Sequence, residues 1–407
     1  MQTVDVVARQ GYVKQVIACP NCKARLSHAD ETICGRFTIA ARLVCKGCGT
    51  VGHVCDGQYI FGGISHIMAG NPEKLEGALL RTRLPLIQYG LESDPDWHVN
   101  GNLLSSAKAG AEWVVETDAV AVSITFLQND WSGIIELAID EMAPIEIDLF
   151  KPFGSSEFCL PVYLGTGSHR IRVRCTGHGN TKSQATECHI VSFCETHFFA
   201  AIDQLFQRQV ENRGHPYPGK WEIMISTAEP GDLLLDVGTS LRGHADPRHI
   251  CLDFHAGNET DIAAPPNSLP LREGAFQLIL AQSSLNHVPN PELFVAELER
   301  ILRPGGTVLA DVASFQPEHD SHTHYFSMTK ASVSHIFRNF DVEGMVEQGS
   351  LSQTLDWFAG SLPSIGADQQ AEVETMISIL RKLESRFSDA ARKRCASHIE
   401  VVARKQR

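Results

Sequence analysis

The chain has 407 residues, of which 43% are apolar and 20% are charged. This composition is typical of a soluble globular protein with several cores, and it excludes a largely disordered chain. The net charge of −13 disfavours a polyanion as partner for the whole surface. No run of 18 apolar residues occurs and the first ten residues lack a signal-peptide pattern, so we expect a cytoplasmic protein without a membrane partner.

Residues 1–65 contain two CxxC motifs, Cys19 with Cys22 and Cys45 with Cys48, separated by 22 residues. Four thiolates on two tight turns provide the tetrahedral sulfur set that Zn²⁺ prefers. Four unrelated buried thiols would not explain two identical spacings. We therefore predict a zinc ribbon over residues 1–65. Because protein ligands fill all four positions, this zinc is predicted to be structural rather than catalytic.

Residues 66–95 are predicted to form a helical connector, with a short helix between Pro72 and Leu80. In residues 96–195, apolar and polar side chains alternate along several segments, with a period of two. In the segment 169–175, for example, Ile171, Val173 and Cys175 alternate with three arginines. Several such segments separated by turn residues predict an antiparallel, jelly-roll-like β-sandwich.

Residues 196–219 are predicted to form a helix and a linker. The proposed apolar face of this helix consists of Phe198, Ile202, Leu205, Phe206 and Val210. Residues 351–407 are predicted to be a helical segment, because apolar side chains recur there at intervals of three and four.

Residues 220–350 alternate buried strands with helical patterns, which is typical of a parallel α/β sheet. Predicted strands cover 232–238, 275–281 and 307–312. A helix over 291–302 precedes the turn 303–306, whose sequence is RPGG.

These motifs resemble those of class I S-adenosylmethionine-dependent methyltransferases over about residues 220–345. The resemblance is carried by LLLDVG, SLPLREGAFQLILAQSSLNHV, ELERILRPGG and TVLADV. It implies a Rossmann-like methyltransferase domain with S-adenosyl-L-methionine as cofactor. The predicted fold is thus multidomain: a zinc ribbon, an antiparallel β-sandwich, and a Rossmann-like domain with C-terminal helices.

The resemblance also implies which residues hold the cofactor, since ligands of open parallel sheets bind beyond the carboxyl ends of the strands. Asp253 would bind the ribose hydroxyls, and Asp261 or Asn267 would bind adenine where the family has an acid and this chain has Pro265. The predicted cofactor residues are Asp236, Gly238, Thr239, Ser240, Asp253, Asp261 and Ser283.

The first loop departs from the family pattern. It reads GTSLR after Val237 and so lacks two of the usual glycines, and only 17 positions separate Asp236 from Asp253. This shortened form is similar to that of a methyltransferase subgroup often linked to glycan and surface-polymer genes.

Histidines are the predicted catalytic residues, because a general base assists methyl transfer to a hydroxyl and histidine suits neutral pH. His287 follows the fourth strand of the domain, and His319 and His322 follow the fifth. Two other interpretations of the loop after the fifth strand stay open: a polar surface loop, and a site for a second, divalent metal.

We therefore expect an O- or N-methyltransferase that acts on a small-molecule or sugar-containing acceptor in specialised-metabolite or glycan biosynthesis. The sandwich segments GSHRIRVRCTGHGN and NDWSGIIELAID are loosely similar to carbohydrate-binding modules. Trp97, Trp113 and Trp131 are candidate platforms for stacking on sugars, and the alternative is that they are buried in the core.

Two alternatives remain from the sequence. One is a catalytically inert, glycan-binding scaffold. The other is an rRNA methyltransferase, since some of those enzymes begin with a four-ligand zinc site. Residues 220–350 carry eight basic and eighteen acidic side chains, which disfavours nucleic acid as a partner.

Overall fold

The computed structural model describes residues 3–62, 66–75, 78–84, 86, 95–100, 103–152, 154–200, 206–209, 216–238, 243–257, 259–317, 324–360 and 367–407. The chain forms two compact units. The first comprises residues 1–215 and 239–272, and the second comprises residues 216–238 and 273–407. The first unit thus combines the predicted ribbon and sandwich segments with a short piece of the predicted Rossmann-like segment.

Strands make up most of the regular structure. In chain order they are β1 Thr3–Asp5, β2 Ser27–Cys34, β3 Phe37–Cys45, β4 Gly49–Cys55, β5 Gln58–Phe61, β6 Ile67–Met68, β7 Lys74–Leu75, β8 Ala78–Leu84, β9 His98–Asn100, β10 Leu103–Ser106, β11 Glu112–Thr117, β12 Ala121–Gln128, β13 Gly133–Ile139, β14 Ile145–Asp148, β15 Ser156–Tyr163, β16 His169–Gly179, β17 Cys188–Phe199, β18 Phe206–Gln209, β19 Leu234–Val237, β20 His249–Asp253, β21 Ile262–Ala263, β22 Phe276–Gln282, β23 Leu302–Ala313, β24 Phe340–Gln348 and β25 His398–Lys405.

The helices lie mainly in the second unit. They are α1 Val6–Val16, α2 Gly219–Ser226, α3 Pro291–Ile301, α4 Lys330–Ile336, α5 Leu351–Gly360, α6 Ala367–Glu384 and α7 Asp389–Lys393, with a 3₁₀ turn at Leu285–His287. Among the residues with described positions, no helix combines the length and the hydropathy needed to cross a bilayer.

Two sheets of the first unit share one hydrophobic core. The larger has the order β1-β18-β8-β17-β12-β15-β6, with β10 and β9 attached to β17, and the smaller has the order β11-β16-β13-β14. Trp113 of β11 meets Phe193 of β17 edge-on, with ring centroids 5.4 Å apart. In β16, Ile171, Val173 and Cys175 are buried as their alternation predicts. Burial of one face of each strand therefore explains the period of two in this segment.

A third sheet of the first unit contains the ribbon strands and continues beyond them. Its order within this unit is β20-β21-β5-β4-β3-β2-β7. The strands β2 to β5 pair antiparallel, whereas β5 pairs parallel with β21 through Tyr59–Ile262 and Ile60–Ala263. The ribbon strands and residues 249–263 thus form one continuous sheet.

The second unit contains the parallel strands that the sequence predicted. Their order is β24-β25-β23-β22-β19, with β19, β22 and β23 parallel and β25 antiparallel between β23 and β24. Helix α3 begins after Asn290, whose side chain accepts a hydrogen bond from Leu293 N at 3.1 Å. It buries Phe294, Leu298 and Ile301, whereas Leu293 is exposed.

The predicted helix between Pro72 and Leu80 is wrong for the described residues, which form β7 and β8. Leu75 pairs with Cys34 and Leu80 pairs with His197. These partners lie far away in sequence, so local apolar spacing could not reveal the pairing.

The predicted helix after residue 196 is also wrong where it is described. Strand β17 continues to Phe199, and Phe206 begins β18. Ile202, Leu205 and Val210 lie outside the described residues.

The predicted C-terminal helical segment contains α5, α6 and α7, but it ends in a strand. Residues 398–405 form β25, which pairs with β23 and β24 on its two sides. The prediction was wrong for these eight residues because the helical spacing of the preceding residues was extended over a short buried strand.

Candidate active site and metal centre

The turn after β19 brings two strand ends of the second unit very close together. Gly238 has a φ of +80°, and a Cβ added there would lie 2.9 Å from Ser284 Cβ. Only glycine combines this backbone conformation with so close an approach. Ser283, on the same loop as Ser284, has a φ of +52°, and its N–H donates to Asp311 O at 2.9 Å. Gly238 and Ser283, both predicted to bind cofactor, therefore lie at the carboxyl ends of neighbouring parallel strands.

Asp236 is completely buried at the end of β19. The Tyr217 hydroxyl donates a hydrogen bond to its Oδ2. This tyrosine was not predicted as a site residue, because its only sequence signal is a place in a segment rich in proline and glycine. Thr239 and Ser240, the next predicted cofactor residues, lie outside the described residues.

His287 closes the 3₁₀ turn after β22 and is held by its neighbour Asn286. The side-chain amide nitrogen of Asn286 donates to His287 Nε2 at 3.0 Å. An accepting Nε2 requires the proton on Nδ1, so this bond selects one neutral tautomer of the imidazole. His287 could accept a proton at Nε2 only after this bond breaks.

A second histidine lies near His287. The ring centroids of His287 and His324 are 6.0 Å apart, and the Tyr325 N–H donates to Asn286 O at 2.8 Å. The chain after β23 therefore returns to the His287 turn. His319 and His322, the other predicted catalytic residues, lie outside the described residues.

Two predicted cofactor residues that the structure describes, Asp253 and Asp261, belong to the first unit. Asp253 is buried at the carboxyl end of β20, and its Oδ1 accepts from His255 N at 3.1 Å. Asp261 precedes β21, and its Oδ2 accepts from Cys251 N at 2.9 Å and lies 3.7 Å from Arg9 Nη1. These contacts give the Asp261 carboxylate a role within the fold. Asn267, the other adenine candidate, is exposed.

The four predicted zinc ligands form one cluster. Their sulfur atoms all lie within 4.8 Å of one another, with Cys22 and Cys45 3.5 Å apart and Cys22 and Cys48 3.6 Å apart. Four sulfurs at about 2.3 Å from a central Zn²⁺ would be about 3.8 Å apart. The backbone N–H groups of Gly47 and Cys48 lower the pKa of the Cys45 thiol to about 7. This favours the thiolate that binds metal.

The knuckle that carries Cys19 and Cys22 is joined to the end of the 239–272 segment. Lys23 Nζ donates to Ser268 Oγ and to Leu269 O, each at 3.2 Å. Ala18 N donates to Pro270 O at 2.8 Å. The cysteine cluster is therefore coupled to the chain that follows β21.

Of the three candidate sugar platforms, one is available at the surface. Trp97 and Trp113 are 5% and 0% exposed, whereas Trp131 is 47% exposed. Buried indoles cannot stack on a sugar, so this interpretation is wrong for Trp97 and Trp113.

Comparison with known proteins adds a family match over part of the chain. Residues 245–310 match a family model described as a methyltransferase domain. This match supports the predicted enzyme class, a methyltransferase. No curated protein matches the chain.

Solved structures provide distant similarities. A Bacillus halodurans C-125 protein described provisionally as a methyltransferase is 17% identical, covers 46% of this chain and 98% of its own, and has a TM-score of 0.31. Geranyl diphosphate C-methyltransferase from Streptomyces coelicolor A3(2) is 13% identical, with coverages of 46% and 77% and a TM-score of 0.29. The 1,6-didemethyltoxoflavin-N1-methyltransferase of Burkholderia thailandensis is 14% identical, with coverages of 43% and 72% and a TM-score of 0.27.

Proposed function

We propose that the chain transfers a methyl group from S-adenosylmethionine to an oxygen or nitrogen of a small-molecule or sugar-containing acceptor. The observation that carries this proposal is the Gly238 turn, because its backbone approaches Ser284 at the carboxyl ends of β19 and β22. Beyond such strand ends, open α/β sheets bind their ligands. The turn also lies next to the segment that matches the methyltransferase model.

In the second unit the proposed cofactor contacts are Asp236, Gly238 and Ser283, and Thr239 and Ser240, which follow Gly238 in the sequence, are proposed as further contacts. In the first unit Asp253 provides a carboxylate for the ribose hydroxyls. Because Asp261 is engaged by Cys251 and Arg9, we propose Asn267 as the adenine partner.

When bound, the cofactor supplies an electrophilic methyl group on a sulfonium sulfur. The protein must then hold the acceptor atom in line with that methyl group and exclude water, and positioning of this kind contributes most of the rate. We assign acceptor positioning to His287, because it closes the turn after β22 and Asn286 orients its imidazole through Nε2. His319 and His322 remain candidates for the general base.

We propose that the cysteine cluster holds one structural Zn²⁺. Cys19, Cys22, Cys45 and Cys48 provide four sulfur ligands at tetrahedral spacing, which leaves no position for a catalytic water. For a sugar-containing acceptor, Trp131 is the proposed stacking platform, because its indole is exposed.

Methyl transfer from radiolabelled S-adenosylmethionine tests the proposal. The full chain is incubated separately with small hydroxyl and amine compounds, with oligosaccharides and with an rRNA transcript. We expect label in a small or sugar-containing acceptor. Trp131→Ala should raise KM for a sugar acceptor with little change in kcat, and Trp131→Phe should restore it.

Two outcomes would contradict the proposal. Label found only in the transcript would support an rRNA methyltransferase. Glycan binding without cofactor binding or methyl transfer would support an inert scaffold.

A further inference from the structure

Helix α6 of the second unit exposes a row of apolar side chains. Met376, Ile379 and Leu383 are 48%, 53% and 41% exposed, and Phe387 in the turn that follows the helix is also exposed. Intervals of three and four residues place the first three on one face of the helix. We call Met376, Ile379 and Leu383 the α6 stripe. Adjacent exposed apolar side chains are typical of interaction surfaces.

Helix α5 packs against a different face of α6. The backbone N–H and the hydroxyl of Ser352 in α5 both donate to the buried carboxylate of Glu384, the N–H at 3.0 Å. Arg381 is paired with Asp356 of α5 at 3.1 Å. With 3.6 residues per turn, Glu384 and Arg381 lie about 100° or more around the helix from the middle of the stripe. These contacts with α5 therefore fix α6 and leave the α6 stripe exposed.

The stripe has an acidic residue at one end and a basic residue at the other. Glu372 lies one turn before Met376, on the same face. Arg386 lies in the turn that ends the helix, where its N–H donates to Leu383 O at 2.9 Å. Both side chains are exposed, and neither has an ion-pair partner among the residues that the structure describes. Glu372 and Arg386 are each seven residues from Ile379, on opposite sides of it.

This arrangement is complementary to itself when two helices run antiparallel. Glu372 of one copy then lies opposite Arg386 of the other, Met376 lies opposite Leu383, and the two Ile379 side chains lie at the centre. A twofold axis near Ile379 produces each of these contacts twice. A parallel pair would instead place like charges opposite each other, which is unfavourable.

We propose that the α6 stripe binds the same stripe of a second copy of the chain in an antiparallel helix pair. Burial of the apolar side chains stabilises the pair, and Glu372 with Arg386 sets its direction. The stripe and its two charged ends span about four helical turns, which is less than a standard interface of about 1,600 Å² requires. We therefore expect a reversible dimer with a Kd in about the micromolar range.

Sedimentation velocity of the full chain between about 1 and 200 µM tests the proposal. The sedimentation coefficient should rise with concentration from that of a monomer to that of a dimer. Ile379→Asp places a charge at the centre of the pair and should raise Kd about tenfold or more. Ile223→Asp is the matched control, because Ile223 is 64% exposed on α2, and it should leave Kd unchanged.

Charge reversal tests the antiparallel direction. Glu372→Arg and Arg386→Glu each place like charges opposite each other in the antiparallel pair, so each should raise Kd about threefold or more. The double variant restores opposite charges and should return Kd to within about twofold of the unchanged chain. Circular dichroism and thermal unfolding verify that every variant is folded.

The proposal is overturned if the chain remains monomeric at about 200 µM, or if a dimer forms whose Kd does not change in folded Ile379→Asp. A double variant with a Kd as high as those of the single variants would overturn the antiparallel arrangement. A monomeric chain that binds vesicles of phosphatidylcholine and phosphatidylserine would assign the stripe to a lipid surface instead.

Discussion

At the scale of single residues, Gly238 has the most direct consequence for function. Its φ of +80° is unfavourable for residues with a side chain. In addition, a Cβ added at Gly238 would lie only 2.9 Å from Ser284 Cβ. Gly305 has a φ of +77°, but a Cβ there would meet no atom within 4 Å. Comparing substitutions at Gly238 and Gly305 therefore separates the effect of backbone conformation from the effect of close packing.

Gly238→Ala should lower the affinity for S-adenosylhomocysteine about tenfold or more, because the methyl group pushes the two strand ends apart. Gly305→Ala carries the same backbone strain and should keep the affinity of the unchanged protein. Calorimetry measures both. Equal losses in the two variants would mean that backbone strain alone is responsible.

Asn286 makes a second prediction possible at this scale. Its amide holds His287 in the tautomer with the proton on Nδ1. Asn286→Leu should remove this bias and lower kcat, with a smaller effect on KM, if His287 positions the acceptor. The ¹⁵N NMR shifts of the His287 ring, assigned with His287→Gln, report the tautomer. An unchanged tautomer in Asn286→Leu would contradict the role given to Asn286.

At the scale of elements, the ribbon strands are an integral part of a sheet. Strand β5 pairs with β21, and the first knuckle binds residues 268–270 through Lys23 and Ala18. Loss of the metal should therefore destabilise both the ribbon strands and the segment around residues 268–270.

Cys22→Ala should reduce the zinc content from one ion per chain to nearly none and lower the melting temperature. Metal binding stabilises folded small domains directly, so its loss removes that contribution. Cys395→Ala is the control, because Cys395 lies outside the cluster. Elemental analysis and thermal unfolding measure the two effects, and a zinc content unchanged in Cys22→Ala would contradict the assignment.

Deletion of strand β25 tests whether this strand holds the sheet of the second unit together. It pairs on one side with β23 and on the other with β24. Deletion of residues 397–407 should expose both neighbours and unfold the second unit, detected by circular dichroism and proteolysis. Deletion of only Gln406 and Arg407, which are exposed and follow the strand, should be tolerated. Full protease resistance of the longer deletion would refute a structural role for β25.

The elements also show how much the sequence could predict. In runs such as Leu234–Val237 and His169–Gly179, the order of apolar and polar residues matches the burial of each strand. These strands could therefore be predicted from the sequence. Strands β7, β8 and β25 were missed because partners remote in sequence stabilise them. The four cysteines were predictable from spacing. Arg9 and Tyr217 were not, because their partners come together only in the folded chain.

At the scale of the whole molecule, the charge disfavours RNA as the acceptor. The net charge is −13, and residues 220–350 contribute −10 of it. Such an acidic segment is a poor binding surface for RNA, which is consistent with the proposed small-molecule acceptor.

Calorimetric titration of the full chain with S-adenosylhomocysteine is the most direct test of the central claim. We predict saturable binding of one molecule per chain, which Gly238→Ala weakens and Gly305→Ala does not. No heat of binding at about 1 mM ligand, from protein that is folded and carries zinc, would contradict it.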